Sequence, residues 1–352
     1  MLCKNIIIAA SGTGGHIYPG IAVARELKSK GFKPVFFISA NAASLEIIKN
    51  EGFENVAFNL SGMPRKASPV FIIFLVKLTA AFFKSLKHIL RLKPCAVFAT
   101  GGYISVPAVC AAWLLRKKTY IHEQNSVAGI ANRFLNFFVL KTFVSFESSV
   151  KYFKKKNFVF SGYPVRKDIL EVSKEEACDK IGISKDVFTV LIFGGSLGAA
   201  KLNEISVKAA EELASTQTLQ ILHIAGQKNY EAVAAKMQDK KNYKVFAYMH
   251  DIKYAYAASD AVVSRAGAGA VFELKALNKP AVLVPYPYAA DNHQFYNAKE
   301  LFGAIVIEEK DLTPKELAEA VMRLRSFVNN AAVKKGTLFA AQEIIAGEII
   351  KD

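Results

Sequence analysis

Several absences narrow what this 352-residue chain can be. Cysteine is scarce: Cys3, Cys95, Cys110 and Cys178 are scattered, with no C-x-x-C spacing among them. That pattern argues against a metal knuckle or a disulfide framework and fits a reducing compartment. No apolar run approaches the roughly 20 residues a membrane-spanning helix needs; the run at residues 70–76 stops at Lys77. The N-terminus enters a core-like strand directly, without the basic, apolar, small-residue order of a cleavable leader, so none is expected. Acidic residues are outnumbered, 30 against 46 Lys and Arg, for a formal net charge of +16. That balance points to anionic partners: phosphorylated substrates, an acidic membrane surface or nucleic acid. Zinc-finger spacing, an aromatic RNA-binding signature and a long basic tail are all missing, so nucleic acid is not expected. The G-x-G-x-x-G fingerprint is missing too, and Ser39-Ala40-Asn41 offers no acidic residue at the end of the second strand. Both count against a nicotinamide oxidoreductase.

What is present is a large apolar fraction, 52%, in a chain long enough for two cores. Short, apolar, β-branched segments alternate with helical patterns. The predicted strands are residues 5–10, 34–39, 56–60, 95–99 and 119–122, then 188–193, 220–225, 243–246, 261–264 and 281–284. Helices are expected at 17–30 and 106–116, among others, with Gly31 as a stop signal. Strand–helix alternation with short loops implies parallel, right-handed βαβ units. The expected architecture is α/β, two Rossmann-like domains facing one another across a cleft. The first spans 1–162 and the second 163–331, with the hinge near the basic stretch 151–156 and the Ser161–Arg166 motif. A last helix, about 332–352, is expected to pack back on the first domain.

Two glycine-rich turns, each after an apolar strand and before a helix, carry the chemistry. They are Ser11-Gly12-Thr13-Gly14-Gly15-His16 and Gly194-Gly195-Ser196-Leu197-Gly198. Glycine lets backbone approach a ligand closely, and a helix N-terminus supplies free N–H groups and a positive dipole end, so an anionic ligand, most simply a diphosphate, is expected. His16 is a candidate base or phosphate donor; its simpler role is a helix cap. Thr100-Gly101-Gly102-Tyr103 and His122-Glu123-Gln124-Asn125 follow two further strands at the sheet edge where open α/β folds bind ligands. In the second half, Ser264-Arg265-Ala266-Gly267-Ala268-Gly269 precedes a helix carrying Glu273. That carboxylate could accept from a ribose diol or merely complement the helix dipole. Asp291 could cap the next helix, and His293 and Gln294 could touch a sugar.

Between residues 68 and 94, Lys77, Lys84 and Arg91 recur at heptad spacing, joined by Lys87. Phe74, Leu75, Leu78, Phe82, Phe83, Leu86 and Leu90 supply apolar surface. The pattern fits an amphipathic helix lying on an anionic bilayer; a core helix with a solvated basic stripe is the alternative.

The motifs SGTGGHIYPGIAVARELK, ATGGYISVPAV, HEQNSVAGIANR, SGYPVR, FGGSLGAAKLN, SRAGAGAVFEL and PYPYAADNHQFYNA stand in the order and spacing of one family. From about Ile6 to Ala298 the chain resembles the MurG family of peptidoglycan N-acetylglucosaminyltransferases, with the two-domain GT-B fold. The resemblance implies inverting transfer of N-acetylglucosamine from its UDP donor to lipid I, forming lipid II. It implies that Ser196 and the amides of Ala268, Gly269, Ala270, Val271 and Phe272 hold the donor diphosphate. Ile252 would line the uracil pocket, Glu273 would bind ribose, and His293 or Gln294 would reach the sugar. Arg166, Thr13, Gly14, Gly15 and Asn125 would also contact the donor. The acceptor diphosphate would lie on Gly14, Gly15, Gly101, Gly102 and Tyr103. Phe74, Leu75, Lys77, Phe82, Lys84, Lys87 and Arg91 would meet the membrane. His16 is the first candidate for the base and Glu123 the second. No cofactor is expected, and no D-x-D-like pair sits near the site to hold a metal. The resemblance also implies peripheral residence on the cytoplasmic face of the bacterial plasma membrane, with other wall-synthesis or division proteins as candidate partners. Two departures stand out: Ser11 replaces the family's usual glycine, and Ala270 its usual threonine or serine, so only the backbone amide can act there. Other GT-B transferases, UDP-N-acetylglucosamine epimerases and a non-catalytic membrane scaffold are the rival readings.

Overall fold

The computed structural model describes residues 4–11, 14–60, 62, 69–195, 198–213, 219–330 and 340–352. The chain divides into two compact units, Met1–Val165 with Phe339–Asp352, and Arg166–Leu338.

The first unit is built on a parallel sheet of β1 (Asn5–Ala10), β2 (Lys33–Ser39), β3 (Glu54–Phe58), β4 (Ala96–Ala99), β5 (Lys118–Glu123), β6 (Lys141–Val144) and β7 (Phe158–Phe160), in the order β3-β2-β1-β4-β5-β6-β7. Its helices are α1 (Gly14–Ser29), α2 (Ala42–Asn50), α3 (Pro69–Leu92), α4 (Ser105–Leu114) and α5 (Ile130–Leu135). The central strands are apolar on both faces because both are covered. Ile6, Ile8, Phe36 and Phe98 pack with Ile17, Ile21 and Leu27 of α1 on one side. Ile7, Phe37, Val97 and Ile121 pack with Phe74, Ile89 and Ala108 on the other.

The second unit repeats the plan with β8 (Phe188–Phe193), β9 (Leu219–Ile224), β10 (Tyr243–Phe246), β11 (Ala261–Ser264), β12 (Ala281–Leu283) and β13 (Ile305–Val306), in the order β10-β9-β8-β11-β12-β13, all parallel. Its helices are α6 (Lys174–Ile181), α7 (Ala200–Leu213), α8 (Tyr230–Met237), α9 (Ile252–Ala258), α10 (Ala268–Leu277), α11 (His293–Lys299) and α12 (Pro314–Asn330). α13 (Ala341–Lys351) returns to the first unit. Its Ile345, Ala346 and Ile349 enter the core beside α1, each buried isoleucine contributing about 1.5–3 kcal/mol. Lys141 anchors its end, with Glu348 at 2.7 Å and Asp352 at 2.6 Å.

In each sheet the strand order reverses at one place: between β1 and β4 in the first, between β8 and β11 in the second. Loops leaving the carboxyl ends of such strand pairs diverge and open a crevice for ligand. The loops in question are those that carry Gly14–His16, Gly101–Gly102, Gly194–Gly198 and Arg265–Gly267. Cys110 and Cys178 are free; Cys95 is disulfide-bonded, against the expectation from the scattered spacing.

Candidate active site

At the β1–β4 switch point, His16 stands on the first turn of α1. Its Nδ1–H donates to the Thr100 carbonyl at 2.8 Å, since a carbonyl oxygen only accepts. The same carbonyl receives Nε2 of Gln124 at 2.6 Å, and the Thr100 hydroxyl donates back to the His16 carbonyl at 2.7 Å. α1 is thereby tied to the end of β4. This tautomer leaves the lone pair on Nε2 of His16. Burial lowers the His16 pKa below the ordinary histidine range, opposed by hydrogen bonds to Thr100 and Gln124. The ring is therefore neutral near pH 7 and equipped to take a proton.

Gly101 and Gly102 both have left-handed backbone, φ +95° and +77°. A Cβ on Gly101 would lie 3.2 Å from the His16 ring, and one on Gly102 would lie 2.1 Å from Cβ of Ser11. The departure at Ser11 thus fills the space over Gly102. The Tyr103 ring packs edge-on against Phe74 of α3, centroids 5.7 Å apart, and is partly buried against the core between sheet and helix.

His122 is buried, and burial pushes its pKa down to about 4. Its Nδ1 accepts from Gln124 Nε2 at 3.3 Å, so its protonated Nε2 faces the Gly162 carbonyl at 3.1 Å and Ser145 Oγ at 3.0 Å. Glu123, the second candidate base, is 1% exposed. Its Oε1 accepts from the Asn125 amide at 2.9 Å and Asn125 Nδ2 at 3.4 Å; its Oε2 accepts from the Gly129 amide at 3.0 Å and Asn132 Nδ2 at 2.8 Å. Burial raises its pKa against these four bonds. With both oxygens accepting from the loop that follows, Glu123 shapes the turn that presents Asn125. Gln124 and Asn132 are each nearly fully buried; Gln124 was read from sequence only as a member of its polar cluster, and Asn132 was given no role. Their signal was only polarity at the end of a buried strand and on the following helix.

In the second unit, α10 opens at Gly267 with no side-chain cap and no acidic residue in its first turn. The amides of Ala268, Gly269 and Ala270 are the unspent donors there. Val271 is different: its N–H donates to the Gly267 carbonyl at 3.1 Å, and the side chains of Val271 and Phe272 are buried. Of the amides expected to form an anion cradle over residues 268–272, that of Val271 is thus spent within the helix. One turn on, Glu273 accepts from Tyr256 Oη at 2.9 Å and stands 3.9 Å from an Arg166 nitrogen. Burial raises the Glu273 pKa; Arg166 and Tyr256 pull it back. Ile252 begins α9, the helix that carries Tyr256, a residue no sequence motif singled out. Before α7, a Cβ on Gly194 would lie 2.4 Å from Cβ of Ala199, and one on Gly198 2.8 Å from the Ala225 carbonyl. At α11, His293 Nδ1–H donates to the Ala290 carbonyl at 2.8 Å, and Gln294 Oε1 accepts from the Tyr286 amide at 2.9 Å. Thr13 and Ser196 lie outside the described residues. Among the described residues, no group of three His, Cys, Asp or Glu is placed to hold a metal ion.

The expected amphipathic helix is α3, and no described helix is long and apolar enough to cross a membrane. Its faces differ from the expected ones. Phe74 is buried, and Phe82 packs against the core. Lys84 bends back, donating to the Ala57 carbonyl at 2.6 Å and lying over the Phe58 ring. Leu75, Lys84, Lys87 and Arg91 are exposed, and Lys77 is half-buried. The outward apolar surface is Phe71, Ile72, Ile73, Leu75, Val76, Phe83 and Leu90, with Ile72 65% exposed.

Residues 6–144 match the glycosyltransferase family 28 N-terminal domain and residues 189–346 the family 28 C-terminal domain. The UDP-N-acetylglucosamine–N-acetylmuramyl-(pentapeptide) pyrophosphoryl-undecaprenol N-acetylglucosamine transferase of Caldanaerobacter subterraneus is 40% identical over 91% of this chain and 90% of its own. That of Desulforamulus reducens is 35% identical over 98% and 96%. The crystal structure of Acinetobacter baumannii MurG superimposes with a TM-score of 0.76 at 28% identity, covering 99% of this chain and all of that one. A UDP-GlcNAc 2-epimerase from Neisseria meningitidis reaches a TM-score of 0.70 at 13% identity, covering 99% of this chain and 100% of that one; that likeness is of fold alone. With both of its domains matched and its relatives aligned along nearly the whole length, the chain belongs to glycosyltransferase family 28, and within it to the MurG family of N-acetylglucosamine transferases with the GT-B fold.

Proposed function

We propose that this protein transfers N-acetylglucosamine from UDP-N-acetylglucosamine to the 4-hydroxyl of N-acetylmuramic acid in undecaprenyl-diphosphate-MurNAc-pentapeptide, with inversion, forming lipid II for peptidoglycan. The observation that carries it is 40% identity, over nine-tenths of the chain, to a transferase named for that reaction. The acceptor hydroxyl loses its proton as its oxygen attacks the anomeric carbon, and the bond from that carbon to UDP breaks. His16 is the base we assign: its Nε2 lone pair is free of the Thr100 carbonyl, and its depressed pKa keeps it neutral. The leaving UDP takes the negative charge. The amides of Ala268, Gly269 and Ala270 at the α10 N-terminus stabilise it by a mechanism that needs no metal. Glu273, aligned by Tyr256 and Arg166, takes the ribose, and Gln294 the sugar. Gly14, Gly15, Gly101 and Gly102 take the acceptor diphosphate.

A direct check is to give the protein UDP-N-acetylglucosamine without acceptor. A transferase leaves the sugar nucleotide intact until a lipid I analogue is added; an epimerase converts it alone.

We also propose peripheral attachment to the anionic cytoplasmic face of the plasma membrane through α3. Ile72, Ile73, Val76 and Phe83 supply the apolar contact, while Lys87 and Arg91 each add about 1 kcal/mol near an anionic surface. Trp113, the one tryptophan, stands 52% exposed on α4, which packs on α3. Its emission should shift to the blue on vesicles containing anionic lipid, and less at high salt. Ile72→Glu with Val76→Glu should abolish the shift while leaving the unfolding temperature nearly unchanged, because both side chains are exposed.

A further inference from the structure

We infer that Arg265 and Glu309 form a clamp that positions Gln294, so that this pair governs the grip on the donor's sugar rather than on its nucleotide. The inference rests on the donor-site reading of the second unit.

Arg265 follows β11 and is only 8% exposed. Its charge is met by Glu309, to which Nη2 donates. Its Nη1 donates to the Val284 carbonyl at 3.3 Å and the Pro285 carbonyl at 3.2 Å, and its guanidinium lies 5.6 Å from the Tyr286 ring centroid. Three successive residues leaving β12 are thus fixed by one side chain whose planar fork lysine cannot reproduce. The next link is the Tyr286 amide, which donates to Gln294 Oε1 at 2.9 Å. A backbone N–H only donates, so the orientation of the Gln294 amide is decided: Oε1 is spent on Tyr286. Nε2, which has no partner among the described residues, is left as a pair of donors. From the other side, Asn297 Nδ2 donates to the Ala266 carbonyl at 3.3 Å, tying α11 to the turn that Arg265 begins. Gln294 is therefore held by the loop leaving β12, on a helix tied to the turn leaving β11, and offers donors suited to a hydroxyl oxygen. Arg265 and Glu309 are positioning residues; they act through the Tyr286 amide.

The test measures UDP affinity, and KM for UDP-N-acetylglucosamine and for its 4-epimer, in Glu309→Gln and Arg265→Lys, each with and without Gln294→Ala. Either single variant should raise KM for the N-acetylglucosaminyl donor about tenfold and narrow its advantage over the epimer, as loss of a well-aligned hydrogen bond does. UDP affinity should hold within about twofold, because the nucleotide makes no use of Gln294. In the Gln294→Ala background the added effect should vanish. Should Arg265→Lys fail to fold, Glu309→Gln, which leaves the Val284 and Pro285 contacts in place, carries the test. UDP affinity weakening in step with KM would overturn the inference, as would an undiminished effect in the Gln294→Ala background. A wild-type protein that binds no UDP would overturn the donor-site reading itself, and the clamp with it.

Discussion

Replacing His16 with alanine should lower kcat about 10²–10⁴-fold, the range expected for loss of a positioned general base, with little change in the affinity for UDP. The wild-type profile fixes the sign of the pH effect. A base must be unprotonated, and the His16 pKa is depressed by burial, so activity should persist below the ordinary histidine value of about 6.5 and fall only at more acidic pH. The acid limb should be missing from the residual activity of the alanine variant. Glu123→Gln separates the two candidates. It keeps one acceptor oxygen among four donors and should behave as a loop defect, lowering activity less than His16→Ala and leaving the acid limb in place. An acid limb that follows Glu123 instead of His16 would reverse the assignment.

The second large effect belongs to Gly102→Ala. Its φ of +77° is left-handed, and the new Cβ would lie 2.1 Å from Cβ of Ser11. Left-handed backbone alone costs a non-glycine residue roughly 1–2 kcal/mol, and overpacking adds typically 1–3 kcal/mol. The variant should lose on the order of 3 kcal/mol and most of its activity, because the displaced turn carries both the amides we propose for the acceptor diphosphate and the wall against His16. The two causes separate in a double-mutant cycle. Ser11→Gly removes the overlapping atom and leaves only a Cα at 3.5 Å, so it should recover the packing part and not the backbone part. Thermal unfolding of the four proteins checks this; no recovery at all would mean that strain in φ, not Ser11, dominates.

Much of the scaffold was legible because buried parallel strands read as unbroken apolar runs. The segments at 188–193, 243–246 and 261–264 match β8, β10 and β11 end to end. β6, β7 and β13 were missed because they are short and lie toward or at sheet edges. Lys141-Thr142 opens one of them, a basic run precedes another, and Ile305-Val306 is two residues long. α3 was legible as a helix but not in its rotation. It is apolar nearly all round above Lys77, so no hydrophobic stripe distinguishes the core face, and Phe74 and Phe82 turned inward. At the site, glycine spacing announced the turns, and each strand end announced a polar cluster. What sequence could not carry is pairing at a distance. Nothing local marks Glu123 as saturated by Asn125, Gly129 and Asn132, nor couples Arg265 to Glu309, 44 positions on.

The most direct test of the central claim is incubation of the purified protein with UDP-N-acetylglucosamine and a short-chain lipid I analogue, reading UDP release and product mass together. The expected result is one UDP per product molecule carrying a β-1,4-linked N-acetylglucosamine. UDP-sugar binding with no transfer to that acceptor would contradict it.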